Sequence, residues 1–147
     1  MAFGGVIREL KPADHAAWLP LWQGYLEFYR ESLDEETNAL TFKDLSSNTQ
    51  GMFAYVAEQD GKLIGLVHCV PHRATWTKTT YCYLEDLFVS PDVRGGGVGR
   101  ALIEAVYARA DEIGSTRVYW LTDKNNTTAQ LLYDKLATRM SFIQYRR

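Results

Sequence analysis

Trp18, Leu21, Trp22, Tyr25, Leu26 and Tyr29 recur at spacings of three and four, which predicts one apolar face of a helix. Pro12 and Asp14 mark its start, and Pro20 inside the pattern predicts a kink or a break into two helices. Asp34, Glu35 and Glu36 then read as a polar connection, with a short helix over Thr41 to Leu45. Val6 to Leu10 is a short β-prone run ahead of all this. From Phe53 the period changes to two. Phe53 to Glu58 alternates, Asp60-Gly61 is a hairpin turn signal, and Leu63 to Val70 reads as the return strand, with Gly65 as a bulge candidate. A polar loop around Arg73 to Lys78 leads to a long aromatic and β-branched strand, Thr79 to Val89. Val98, Leu102, Ala105, Val106 and Ile113 then share a helical face, and Gly114 stops that helix. Val118 to Leu121 is a short strand, and Asn125 or Asn126 caps a helix with Ala129, Leu132 and Leu136 on its buried side. Phe142 to Tyr145 reads as a last strand. The order β-α-α-β-β-β-α-β-α-β predicts an α+β fold: a mixed sheet, mostly antiparallel, ending in a β-α-β unit.

Length and composition narrow the picture. The 147 residues fit one domain, 1–147, with 46% hydrophobic and 23% charged residues, enough for a sizeable core. The net charge of −2 makes nucleic acid a poor partner. Cys69 and Cys82 form no C-x-x-C pair and read as reduced core thiols. Met1 to Gly5 lacks the basic and apolar regions of a signal peptide, and no apolar run approaches the ~18 residues of a membrane span. The expected location is therefore cytoplasmic. His15, His68 and His72 form no metal-ligand spacing, so no metal is expected.

The chemistry concentrates in Arg94-Gly95-Gly96-Gly97-Val98-Gly99-Arg100. Glycines let backbone N–H groups turn toward a ligand, and the helix starting there adds its positive end. Together they suit phosphate or pyrophosphate, and Arg94 and Arg100 add charge. A P-loop would need Lys-Ser/Thr where Arg100-Ala101 stands. A dinucleotide fingerprint would need a third glycine where Leu102 stands, although Asp123 lies at a suitable distance for a ribose contact. The remaining pattern is Arg-x-x-Gly-x-Gly, met by Arg94, Gly97 and Gly99.

That pattern resembles the pyrophosphate signature of the GNAT acetyltransferase superfamily. Leu84-Glu85-Asp86-Leu87-Phe88-Val89-Ser90-Pro91 is similar to the strand leading into it, and Trp120 to Asn126 with Ala129 and Tyr133 to the later strand and helix. Glu85-Asp86, Trp120 and Asn126 look closest to the polyamine and small histone-type branch. One departure is Leu136-Ala137-Thr138-Arg139, where the family often has a glycine. The resemblance implies a splayed central sheet flanked by about four helices. It also implies acetyl-CoA as cosubstrate, held by Leu87, Phe88 and Val89, by Arg94 to Arg100 (Gly95, Gly96, Gly97, Val98 and Gly99 between them) and by Asn126, which can equally cap its helix. A homodimer is expected from the resemblance alone.

Acetyl transfer to an amine makes three demands. An ammonium with pKa about 10.4 must lose its proton, the oxyanion needs donors, and a leaving thiolate of pKa about 8.5 benefits from a proton. By resemblance the backbone near Leu87 supplies the oxyanion donor, Phe88 and Val89 pair with the pantetheine arm, and Tyr133 is the general acid. Glu85 is the candidate base through water and Asp86 its rival. Neighbours on a strand face opposite ways, so at most one is expected in the site. Glu27, Glu31, Asp34, Glu35 and Glu36 would suit a cationic acceptor: a polyamine, an aminoalkyl compound, or a protein lysine on a basic peptide. The alternative is a non-enzymatic coenzyme A-binding regulatory module of the same fold.

Overall fold

The computed structural model describes residues 3–147. Residues 1 and 2, the start of the Met1 to Gly5 stretch read for a leader, lie outside the described part. Five strands form one sheet in the order β1 (Val6–Glu9), β2 (Phe53–Gln59), β3 (Lys62–His72), β4 (Tyr81–Val89), β5 (Arg117–Tyr119). The first three pairings are antiparallel and the last is parallel. Four α-helices accompany it: α1 (His15–Phe28), α2 (Glu35–Ser46), α3 (Val98–Ile113) and α4 (Thr127–Leu136). The expected α+β architecture is what forms.

Both faces of the sheet are covered. Trp18, Leu21, Trp22 and Leu26 of α1 with Phe42 and Leu45 of α2 pack on Ala54, Val56, Leu66 and Phe88. Leu102, Ile103, Val106 and Ala110 of α3 pack on Ala57, Ile64, Val67, Cys69, Cys82 and Leu84 of the other face. A strand covered on both sides loses the need to alternate, which is why Leu63 through Cys69 is buried without interruption. Asp60 and Gly61 take φ of 53° and 76°, the left-handed pair of a type I′ turn, as the Asp-Gly signal predicts. Cys69 and Cys82 are free and buried.

Four expectations need correction. Of the kink or break expected at Pro20, the break does not occur: helix α1 runs through it as one element. The acidic run at Asp34 is a helix start rather than a connection: the Asp34 carboxylate accepts from the Thr37 N–H at 2.7 Å, and Glu35 and Glu36 sit in the first turn, where the helix dipole favours them. Strand β3 extends through His72, so both histidines lie on it, although they serve different partners. No strand forms over Phe142 to Tyr145: the chain after α4 has no regular structure, and Phe142, Ile143 and Tyr145 are exposed. Without a glycine after Leu136, α4 ends on Ala137 in extended conformation rather than in a left-handed turn.

Candidate active site

The site is positioned by a mismatch in strand length. β5 pairs with β4 only at Tyr81↔Arg117, Cys82↔Val118 and Tyr83↔Tyr119. β4 continues to Val89, while the chain after Tyr119 leaves for α4. The edge of β4 from Leu84 to Val89 that faces away from β3 therefore has no strand partner. Its N–H and C=O groups are available to an extended ligand.

At the far end of that edge lies the glycine loop. Gly95 and Gly97 have φ of 85° and 86°, a region that side-chain-bearing residues rarely adopt. Gly97 is the N-cap of α3, with no side-chain cap, so the first-turn N–H groups of α3 stay open at the positive end of a 16-residue helix. These features fit a pyrophosphate, and Val98, Gly99 and Arg100 supply the first-turn backbone. The two arginines are engaged locally. Arg94 Nε donates to the Val89 carbonyl at 3.0 Å with its guanidinium 5.5 Å from the Phe88 ring, and Arg100 Nε pairs with Glu104 at 2.8 Å. Asn126 acts as the α4 cap, its Oδ1 accepting from the Ala129 N–H at 3.3 Å. Leu87, Phe88 and Val89 lie opposite Val67, Leu66 and Gly65 of β3, and Phe88 is buried.

The carboxylates lie between. His68 pairs with Asp86 but Cys69 pairs with Leu84, so Glu85 is the extra residue of a β-bulge. The bulge cancels strict alternation. The charges of Asp86 and Glu85 both add, after burial, to raising the Tyr25 and Tyr83 phenols, and the bulge removes the strand rule that set the two carboxylates on opposite faces. Burial, then the charge of Asp86, raises the Tyr25 phenol. Partial burial raises the Glu85 carboxyl above its ordinary range, and neighbouring Asp86 adds to that. Tyr29, at the end of α1, is raised by burial and then by Asp86 and Asp123. Tyr133 is raised by burial and then by Tyr29, and its ring meets Trp120 edge-on at 5.4 Å.

Sequence reasoning missed Tyr25, Tyr29 and Tyr83, since an aromatic stripe on α1 reads as core. It also missed His68, which is 2% exposed, bonded to both Trp18 and Asp86. The acidic residues of α2 belong to a helix start. Among the described residues no group of His, Cys, Asp or Glu is arranged to hold a metal, and no helix is long and apolar enough to cross a membrane.

An unpaired strand edge that leads to a bare helix start suits an extended ligand with a phosphate at one end. Residues 18–137 match the model of the acetyltransferase (GNAT) family. The chain is 38% identical over 144 residues to the D-amino-acid N-acetyltransferase HPA3 of Saccharomyces cerevisiae, covering 97% of this chain and 89% of that one. It is 31% identical over 118 residues to an aminoglycoside N(6')-acetyltransferase of Stenotrophomonas maltophilia, 78% and 72% of the two chains. In fold it is similar to a ribosomal-protein-alanine N-acetyltransferase of Brucella melitensis, with TM-score 0.83, 20% identity and coverage of 98% and 99%. This chain belongs to the GNAT acetyltransferase family, whose general reaction is acetyl transfer from acetyl-CoA to an amine. The narrower likeness to the polyamine and histone-type branch finds no support in these relatives, which are named for D-amino acids and aminoglycosides.

Proposed function

We propose that this chain acetylates a primary amine directly from acetyl-CoA, with Tyr133 as general acid and Glu85 as a base acting through water. The observation that carries this reading is the succession along one strand of an unpaired β4 edge, the two carboxylates Glu85 and Asp86 on it, and the uncapped start of α3 just beyond it. When bound, acetyl-CoA supplies an activated thioester. Gly95 to Arg100 would hold its pyrophosphate, the Leu87 to Val89 backbone would hold the pantetheine arm, and a Leu87 N–H would polarise the carbonyl. Asn126 can contact the coenzyme through its amide N–H₂ while its oxygen caps α4.

Proton traffic follows from the surroundings. The raised Glu85 carboxyl is a stronger base than a free glutamate and draws a proton from the acceptor ammonium through water. Burial holds Tyr133 protonated, so its O–H is available for the leaving sulfur. The amine attacks as the thioester C–S bond breaks. No covalent enzyme intermediate is needed.

Carboxylates and tyrosine faces together suit a cationic amine. The relative named for D-amino acids makes amino acids the first acceptors to test, followed by aminoglycosides, polyamines, aminoalkyl compounds and lysine in a basic peptide. A cytoplasmic setting, consistent with two free thiols, and a homodimer belong to the same proposal. The test is thiol release from acetyl-CoA with this amine panel, followed by mass spectrometry of the products. At least one amine should gain 42 Da while release rises above hydrolysis. Coenzyme binding without any acetylated product would replace the enzyme by a coenzyme-binding module.

A further inference from the structure

Trp18 is fully buried and its indole N–H donates to His68 Nε2 at 3.0 Å. An indole nitrogen is only ever a donor. Nε2 of His68 must therefore accept, and the proton of a neutral imidazole must sit on Nδ1. Nδ1 lies 2.9 Å from Asp86 Oδ2, so it donates to that carboxylate. Neither ring nitrogen remains for a substrate, and no proton can pass along the chain, because the indole is not an acid at these pH values. His68 is thus no general base. What the chain does is hold Asp86.

The hold is rigid. The His68 ring lies 5.9 Å from Trp18 and 5.0 Å from Trp22, and Trp18 stacks on Trp22 at 5.8 Å and 17°. The Asp86 side chain is 12% exposed, and its charge is, after burial, the next cause that raises the Tyr25 phenol. Glu85, one residue away, is only partly buried and has neither the Trp18 nor the His68 ring bonded to it. A carboxylate has about four acceptor positions, so His68 leaves capacity for an ammonium.

We infer that Asp86 is the anchor for the acceptor's ammonium group, and that Trp18 and His68 are positioning residues that fix its carboxylate. This rests on the acetyl-transfer reading above and assigns the two carboxylates different tasks: Asp86 binds and orients the amine, and Glu85 takes its proton through water. A fixed anchor removes much of the orientational freedom of the attacking nitrogen, a benefit that a mobile surface carboxylate cannot give.

Two experiments test it. Nitrogen-15 NMR of the His68 ring in the intact protein should report a protonated Nδ1 and an unprotonated Nε2, with the Nδ1–H signal lost or moved in Asp86→Asn. An Nε2–H tautomer or an imidazolium overturns the positioning argument whatever the enzyme's activity. The second is a double-mutant cycle on a reactive amine. Asp86→Asn should raise the acceptor KM about 100-fold, and His68→Leu about 10-fold, with acetyl-CoA affinity unchanged. The double variant should be no worse than Asp86→Asn alone, because His68 acts through Asp86. His68→Asn, which can still donate toward Asp86, should recover part of the loss, and Trp18→Phe keeps the imidazole in place as a second probe. Multiplying losses, or an unchanged acceptor KM in Asp86→Asn, overturns the assignment. Absence of any acetylated amine in the wild type would instead remove the acetyl-transfer reading and leave the NMR result to stand by itself.

Discussion

Tyr133 and Glu85 are proposed for opposite halves of one proton account, and burial moves both pKa values in the useful direction. A phenol is an acid whose charged form is penalised by burial, so Tyr133 stays protonated past its usual pKa of about 10. Removing only its hydroxyl in Tyr133→Phe should lower kcat about 100-fold while acetyl-CoA Kd from calorimetry stays unchanged. The wild-type kcat should show no alkaline loss from this group until the pH exceeds about 10. Glu85 works as a base only when ionised, so activity falls as pH drops through its pKa, which lies above that of a free carboxyl at about 4.3. Glu85→Gln should therefore abolish the acidic limb of the kcat/KM profile as well as lowering its plateau. A limb that persists in the variant assigns it to another group.

At the level of elements, the start of α3 makes a sharper test than its arginines do. Gly97 and Gly114 bound the same helix, and both have left-handed φ, 86° and 78°. A valine at either meets a backbone strain of about 1–3 kcal/mol. Only Gly97→Val also adds branches where a pyrophosphate would lie. Thermal midpoints of the two variants should fall together, while acetyl-CoA Kd should weaken about tenfold or more in Gly97→Val alone. Equal affinities would move the coenzyme away from this loop. The same elements explain what the sequence made legible. Periods of two and about 3.6, an Asp-Gly turn, the Gly114 stop and the Asn126 cap are local signals, and each located its element. The β4 bulge is not local: it exists because Glu85 finds no opposite number on β3, and nothing in Leu84-Glu85-Asp86 announces that. The buried partnership of His68 with Trp18 spans fifty positions of chain and was equally invisible. Asp34 misled because a carboxylate that caps a helix and one in a polar connection are the same residue type.

At the scale of the whole molecule, the unfinished edge of the sheet decides what to expect in solution. β5 has β4 on one side and no strand on the other. Beside it, α4 and the chain after Ala137 enclose an open cavity of about 1320 Å³ bordered by Val118, Trp120, Tyr133, Met140, Phe142 and Ile143. Met140, Phe142, Ile143 and Tyr145 are 65%, 84%, 77% and 89% exposed, a concentration of apolar surface that a monomer must keep in water. An unpaired strand edge and an apolar arm from the same chain are mutually suited when two copies meet, since a two-fold contact uses each pairing twice. The proposed homodimer therefore predicts a mass near twice 16.8 kDa by light scattering at micromolar concentration. Replacing Phe142 and Ile143 together by serine should shift that mass to the monomer. Neither side chain contributes to the core, so the fold should survive and its circular dichroism should be unchanged. Tyr133 borders the same cavity, and a dimer that fills it would further exclude water from the general acid. In that case the double serine variant should lose kcat along with its partner, whereas a variant that becomes monomeric with full kcat would confine the pairing to stability.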